Sequence, residues 1–121
     1  MIRLELVARA GMWAAIFVAV VMALLPHPPA LPIDSYGDKF QHMLAFAVIA
    51  LLAGLGYRDA PLMRLAEHLS FLGALIEVGQ SIPLLGRDCD IRDWVADTLA
   101  VLVVLGLVAL WRRVSARRAA I

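Results

Sequence analysis

Apolar residues in this chain come in long runs rather than in the one-sided or alternating patterns of a soluble domain. The first run extends from Ala10 to Ile33 without a formally charged residue, and its core, Gly11 to Leu25, reads GMWAAIFVAVVMALL. Pro26, Pro28 and Pro29 then end any helix, because proline removes a donor and clashes with the preceding turn. The second run is uncharged from Met43 to Tyr57; adding the polar turn Asp38 to His42 gives a segment that matches the ~30 Å hydrocarbon core at ~1.5 Å per residue. The third, Leu62 to Ile82, is mixed, with Arg64, Glu67 and His68 near one end and Glu77 and Gln80 near the other. The fourth starts around Asp93 and ends at Trp111, its later part reading TLAVLVVLGLVALW, with Arg112, Arg113, Arg117 and Arg118 directly after. Trp111 suits an interfacial anchor.

These runs predict an all-α, polytopic membrane protein: one domain over 1–121 with four transmembrane helices at roughly 8–25, 38–57, 62–82 and 93–111. A soluble amphipathic helix is the rival for the third segment. A span is favoured there because firm spans flank it and an even number of crossings puts both basic termini on one side. A cleaved signal peptide is the rival for the first, but no A-x-A-like site follows it. Composition agrees: 63% of the 121 residues are apolar and 17% charged, against about half and a quarter in soluble domains. No nucleic-acid motif is present.

The net charge of +1 says little; its placement says more. With four spans, Arg3, Arg9, Arg58, Arg64, Arg112, Arg113, Arg117 and Arg118 share one side, and only Lys39, Arg87 and Arg92 the other. The positive-inside rule then predicts cytoplasmic termini. Most remaining ionisable residues, from Asp34 and Asp38 to Asp97, fall on the outer side; the inner acids are Glu5, Asp59 and Glu67. Asp38 and His42 are four apart and share a helix face, as do Glu77 and Gln80, three apart. Asp90, Asp93 and Asp97 form one stripe if the fourth helix starts by Asp90. Glu77 lies six residues inside Pro83, about 9 Å along the axis. Ionisable groups at such depth face a bundle interior, a partner or a water-filled cavity. The expectation is an outward-opening polar pocket lined by His42, Glu77, Gln80, Asp93 and Asp97.

Three groups of residues carry a resemblance: Asp38-Lys39-x-x-His42 followed by Ala45-Phe46, then Glu77-x-x-Gln80-x-x-Pro83, then Arg87-x-x-Asp90-x-x-Asp93. In this order and spacing, over roughly Asp34 to Gly106, the chain resembles the VanZ-like family, named for a protein associated with teicoplanin resistance. The resemblance implies a multi-pass protein of the bacterial inner membrane, a cell-envelope context and a link to glycopeptide resistance. This chain departs from the family pattern in carrying Asp97 where Asn is usual and Ala100 near a frequent Gly; the extra acid changes what the pocket can hold.

His42, Glu77 and Asp93 are the candidate catalytic residues, able to supply a general acid and base. Asp38, Lys39, Gln80, Arg87, Asp90 and Asp97 are candidates for binding substrate, Arg87 and Lys39 as grips for a phosphate. Bland roles stand beside each: Asp38 and Lys39 as an interfacial helix start, His42 as an interhelical hydrogen-bond partner, Glu77 in a structural ion pair, Asp90 or Asp93 as an N-cap. His27, Glu67 and His68 read as bland, and Trp13, Trp94 and Trp111 as interface or packing residues. Asp38, His42, Glu77, Asp93 and Asp97 are also hard or borderline ligands, so a divalent metal stays open as a cofactor, although no short ligand motif is present. Cys89 is the only cysteine and lies in the loop of the candidate site. The expected function is binding of, or chemistry on, a cell-envelope lipid or lipid-linked precursor, with membrane lipids as partners. A non-catalytic accessory or structural role and a small proton-coupled transporter are the alternatives. Gly54 and Gly56 would permit close helix contacts, so an oligomer is open as well.

Overall fold

In a computed structural model the chain is all-helical; the structure describes residues 2–26, 29–32, 34–87 and 89–121, with only the backbone of Asp34 and Asp38. His27 and Asp88 lie outside the described residues, as do the side chains of Asp34 and Asp38. Four α-helices follow in order: α1 (Ile2–Leu24), α2 (Asp38–Gly56), α3 (Leu62–Gln80) and α4 (Ile91–Ala120), with short 3-10 turns at Asp34–Tyr36 and Pro83–Leu85.

Two helices outrun the apolar segments that predict them. α1 starts at Ile2 rather than near residue 8, and α4 runs to Ala120 rather than stopping near Trp111. The added residues, IRLELV at the start of α1 and RRVSARRAA at the end of α4, are mostly good helix formers with no proline or glycine to stop them. α3 stops two residues short, at Gln80, ahead of Pro83.

Each helix buries a single stripe. On α2 it is Phe46, Ile49, Ala50 and Ala53; on α4, Asp97, Val101, Leu105 and Val108; on α3, Ala66, Leu69, Gly73, Ile76, Glu77 and Gln80. These positions recur three and four apart, so each stripe is one helix face. α2 packs most extensively on α1 and α4, and α3 packs on α4. Adding a β-carbon at Gly54 would bring it within 3.1 Å of Val108 on α4, and at Gly56 within 3.0 Å of the Arg9 backbone nitrogen on α1. The close contacts that these glycines permit therefore lie between helices of one chain.

The outward surface is apolar nearly throughout. Phe17 and Val18 on α1, Leu44 and Leu51 on α2, Phe71 and Leu75 on α3, and Val103 and Leu107 on α4 are all exposed. Soluble monomers rarely expose contiguous apolar surface on this scale. α1, α2 from Lys39 and α4 are long and apolar enough to cross a membrane. α3 is not in that group because it carries Arg64, Glu67 and Glu77.

Candidate functional site

Contacts across the bundle sort it into two ends. At one end the last turn of α2 meets α1 and α4. Arg9 donates to the Gly56 carbonyl and lies over the Tyr57 ring, 4.6 Å from its centroid. Arg112 donates to the Gly54 carbonyl at 2.9 Å and to the Tyr57 carbonyl at 3.5 Å. The Arg58 guanidinium stands 5.6 Å over the Trp111 ring. Two arginines from other helices thus cap α2, whose last carbonyls have no intrahelical donors and carry the negative end of the helix dipole. Sequence reasoning treated these arginines only as topology signals. The visible clue was an α2 that ends at Tyr57 without a side chain of its own to cap it.

The opposite end gathers the end of α1, the start of α2, the end of α3 and the start of α4. His42 Nδ1 lies 3.7 Å from Asp97 Oδ2 between α2 and α4. One turn toward the end of the bundle, Lys39 Nζ lies 3.9 Å from Asp93 Oδ1. Asp97 is 2% exposed, because it falls on the same stripe as Val101 and Leu105. Glu77 is also buried, and its Oε2 accepts the Asp90 backbone N–H at 3.0 Å. His42 is within electrostatic reach of Asp97, Asp93 and Glu77 together. Gln80 is 2% exposed and donates from Nε2 to the Ala23 carbonyl at 3.0 Å, which ties the last turn of α1 to α3.

The acidic stripe divides its work. Asp90 is the N-cap of α4: its backbone is extended and its side chain accepts the Arg92 N–H at 2.9 Å. That bond and the Arg92 guanidinium hold its carboxyl below the usual range. Asp93 pairs with Lys39, and Asp97 faces His42. Cys89 is exposed, and its thiol faces the Glu77 carboxylate. Partial desolvation, then that carboxylate, with Asp90 and Asp93 behind it, push the thiol above its ordinary value.

Among the described residues, no group of three or more His, Cys, Asp and Glu side chains is arranged to hold a metal ion. The expected ligands separate into pairs: His42 with Asp97, and Asp93 with Lys39, while Glu77 holds a backbone N–H. Three buried oxygens are unpartnered among the described residues: Glu77 Oε1, Gln80 Oε1 and Asp97 Oδ1. Buried polar atoms are nearly always hydrogen-bonded in native proteins, and the exceptions concentrate where chemistry or binding takes place.

Beside this cluster a cavity of about 820 Å³ runs between α1 and α2. Its length is lined by Ala15, Val18, Ala19, Leu44 and Val48, and its polar mouth by Gln41, His42 and Arg87. Volume, apolar lining and a few convergent polar groups are those of a small-molecule site, typically ~300–1,000 Å³.

Contacts absent from the sequence reading join α3 to α4. The Ser70 and Thr98 hydroxyls are 2.9 Å apart, and Trp94 Nε1 donates to the Ser70 carbonyl at 2.9 Å. Trp94 is thus an interhelical packing residue. Set against protein-family models, curated proteins and solved structures, the chain matches none. The VanZ-like resemblance accordingly stands on the motif residues alone.

Proposed function

We propose that the chain is a four-span, VanZ-like protein of the bacterial inner membrane that binds the head group of a cell-envelope lipid and acts on it by acid–base chemistry. The observation that carries this reading is His42, which lines the α1–α2 cavity and is backed by the buried Asp97 carboxylate. With Nδ1 turned to a buried carboxylate, the other ring nitrogen is the one available to move a proton, and Asp97 fixes the ring. Orienting the ring requires only an acceptor, so the Asn usual in the VanZ-like pattern would serve the same purpose.

A fourth crossing is supported by α3 itself. Its 19 residues span about 28 Å, and Met63, Phe71, Leu75 and Val78 are exposed apolar residues along it. Glu77 and Gln80 are turned inward, and the exposed Arg64, Glu67 and His68 fall within the first two turns of α3, toward the membrane interface. With four crossings, the arginine end and both termini lie in the cytoplasm by the positive-inside rule. The His42 end then faces the envelope, where glycopeptides act.

The test is the lipid profile and teicoplanin sensitivity of cells that express the chain. Comparison with His42→Gln at equal protein level decides it: the expected result is a changed lipid species that reverts in the variant. An identical profile in both would overturn the acid–base reading. A non-catalytic accessory role is the second reading, favoured by the Glu77 bond to the Asp90 backbone, which is a structural use of a carboxylate. Glu77→Gln keeps an acceptor there, so it would be harmless under that reading.

A further inference from the structure

The cavity between α1 and α2 exists because α1 changes partner along its length. At the arginine end α1 lies on α2, with Arg9 on the Gly56 carbonyl and Leu52 over Gly11. At the other end its last turn is held on α3, where Leu24 sits on Gly79 and the Ala23 carbonyl accepts from Gln80. A wedge therefore opens between α1 and α2 toward the His42 end. Alanines at 14, 15, 19 and 45 leave it unfilled, and Phe46 and Ile76 form part of its lining.

We infer that this wedge is the seat of one chain of an anionic membrane lipid, with the lipid phosphate on Arg87. Along α1 the lining runs from Ala14 to Ala23, nine helical steps or about 14 Å, close to one leaflet's share of a ~30 Å hydrocarbon core. Val18, Leu44 and Val48, which line it, are also exposed on the outward apolar surface, so the wedge is open sideways, as entry from a bilayer requires. Arg87, the one lysine or arginine among the described lining residues, stands at the mouth, and no ion pair forms between it and the described side chains. A guanidinium binds phosphate through paired hydrogen bonds. His42 lies in the same mouth, so the head group held by Arg87 is the one presented to His42. This assignment rests on the head-group reading above and names its ligand as a lipid phosphate.

The experiment uses the purified full chain in phosphatidylcholine nanodiscs doped with phosphatidic acid that carries a photoactivatable diazirine midway along one acyl chain. Crosslinks should concentrate on Ala14 to Met22 and on Leu44 to Val48. Ala19→Trp, which fills the wedge, should cut that label about tenfold, whereas Val103→Trp, on the exposed surface of α4 and outside the wedge lining, should leave it intact. Arg87→Gln, in an exterior turn, should lower the preference for phosphatidic acid over an equally labelled phosphatidylcholine by about tenfold, the loss of one charge-assisted contact. Label spread evenly over the exposed faces of α3 and α4 and unaffected by Arg87→Gln would overturn the inference. Label mapping requires no turnover of the lipid by the protein. An unchanged cellular lipid profile with a labelled wedge would therefore sink the acid–base reading alone, and a diffuse label with a profile that reverts in His42→Gln would sink the wedge alone.

Discussion

The two ends of the bundle handle buried polarity in opposite ways. At the arginine end, Arg9 and Arg112 reach backbone carbonyls at the end of α2, and the Trp13 indole reaches the Tyr57 hydroxyl at 3.2 Å. Charge there complements a helix dipole and finishes a helix. At the other end, Glu77, Gln80 and Asp97 each keep one buried oxygen without a partner among the described residues, and a histidine faces a carboxylate beside an open cavity. The first arrangement gains stability from nearly every polar atom it uses. The second forgoes some of that gain, as expected of a site kept ready for a ligand. Polarity alone does not single out the candidate site in this chain; the incompletely satisfied buried polar atoms do.

The largest expected effect separates the ends by function. Asp97→Val should abolish the proposed lipid change, compared at equal protein level, and should cost about 3 kcal/mol, since removing one partner of a buried pair leaves the other uncompensated. Asp97→Asn should retain function because it still offers His42 an acceptor. Cellular lipid profiling with detergent-titration unfolding checks both, and loss of function in Asp97→Asn would mean that the negative charge is required. Next, Gly56→Leu should cost about 3 kcal/mol, because even a β-carbon there meets the Arg9 backbone nitrogen at 3.0 Å. Arg112→Ala should cost about 1.5 kcal/mol through the uncapped α2 carbonyls and leave the lipid profile unchanged; a functional defect without loss of stability would break the contrast between the ends. Ser70→Ala should cost only about 0.6 kcal/mol for its bond to Thr98.

A pH-dependent measurement sharpens the site end. The Cys89 thiol titrates above its ordinary value partly because the Glu77 carboxylate faces it. Only the thiolate reacts with maleimide, so labelling should be slow at neutral pH and keep accelerating past the usual thiol range. Glu77→Gln removes a negative charge, favours the thiolate and should speed labelling at neutral pH. An unchanged rate would mean that the two groups do not interact.

Much of the fold was legible because lipid-length apolar runs and prolines are local signals. The start of α3 after Pro61 and the break before Pro83 were readable in this way. The full lengths of α1 and α4 were not, since their polar ends continue the helix through propensity rather than hydropathy. For the site, spacing brought His42, Glu77, Asp93 and Asp97 to one end, and depth marked Glu77 and Asp97 as inward-facing. Which acid meets which base was beyond it, because the His42–Asp97 and Lys39–Asp93 pairs depend on the register of α2 against α4. The arginine caps and the α1–α2 wedge were hidden for the same reason: alanines at 14, 15 and 19 look like any other apolar residues until α1 is seen to cross from α2 to α3.

The most direct test of the central claim, that the His42 end faces the envelope and the arginine end the cytoplasm, uses the single thiol. Cys89 is exposed in the loop of the candidate site, so a membrane-impermeant maleimide reports which side that loop occupies. Labelling in intact cells is the expected result, matched by labelling of the same site after permeabilisation. Labelling that appears only after permeabilisation would place the His42 end in the cytoplasm and contradict the orientation on which an envelope-lipid role depends.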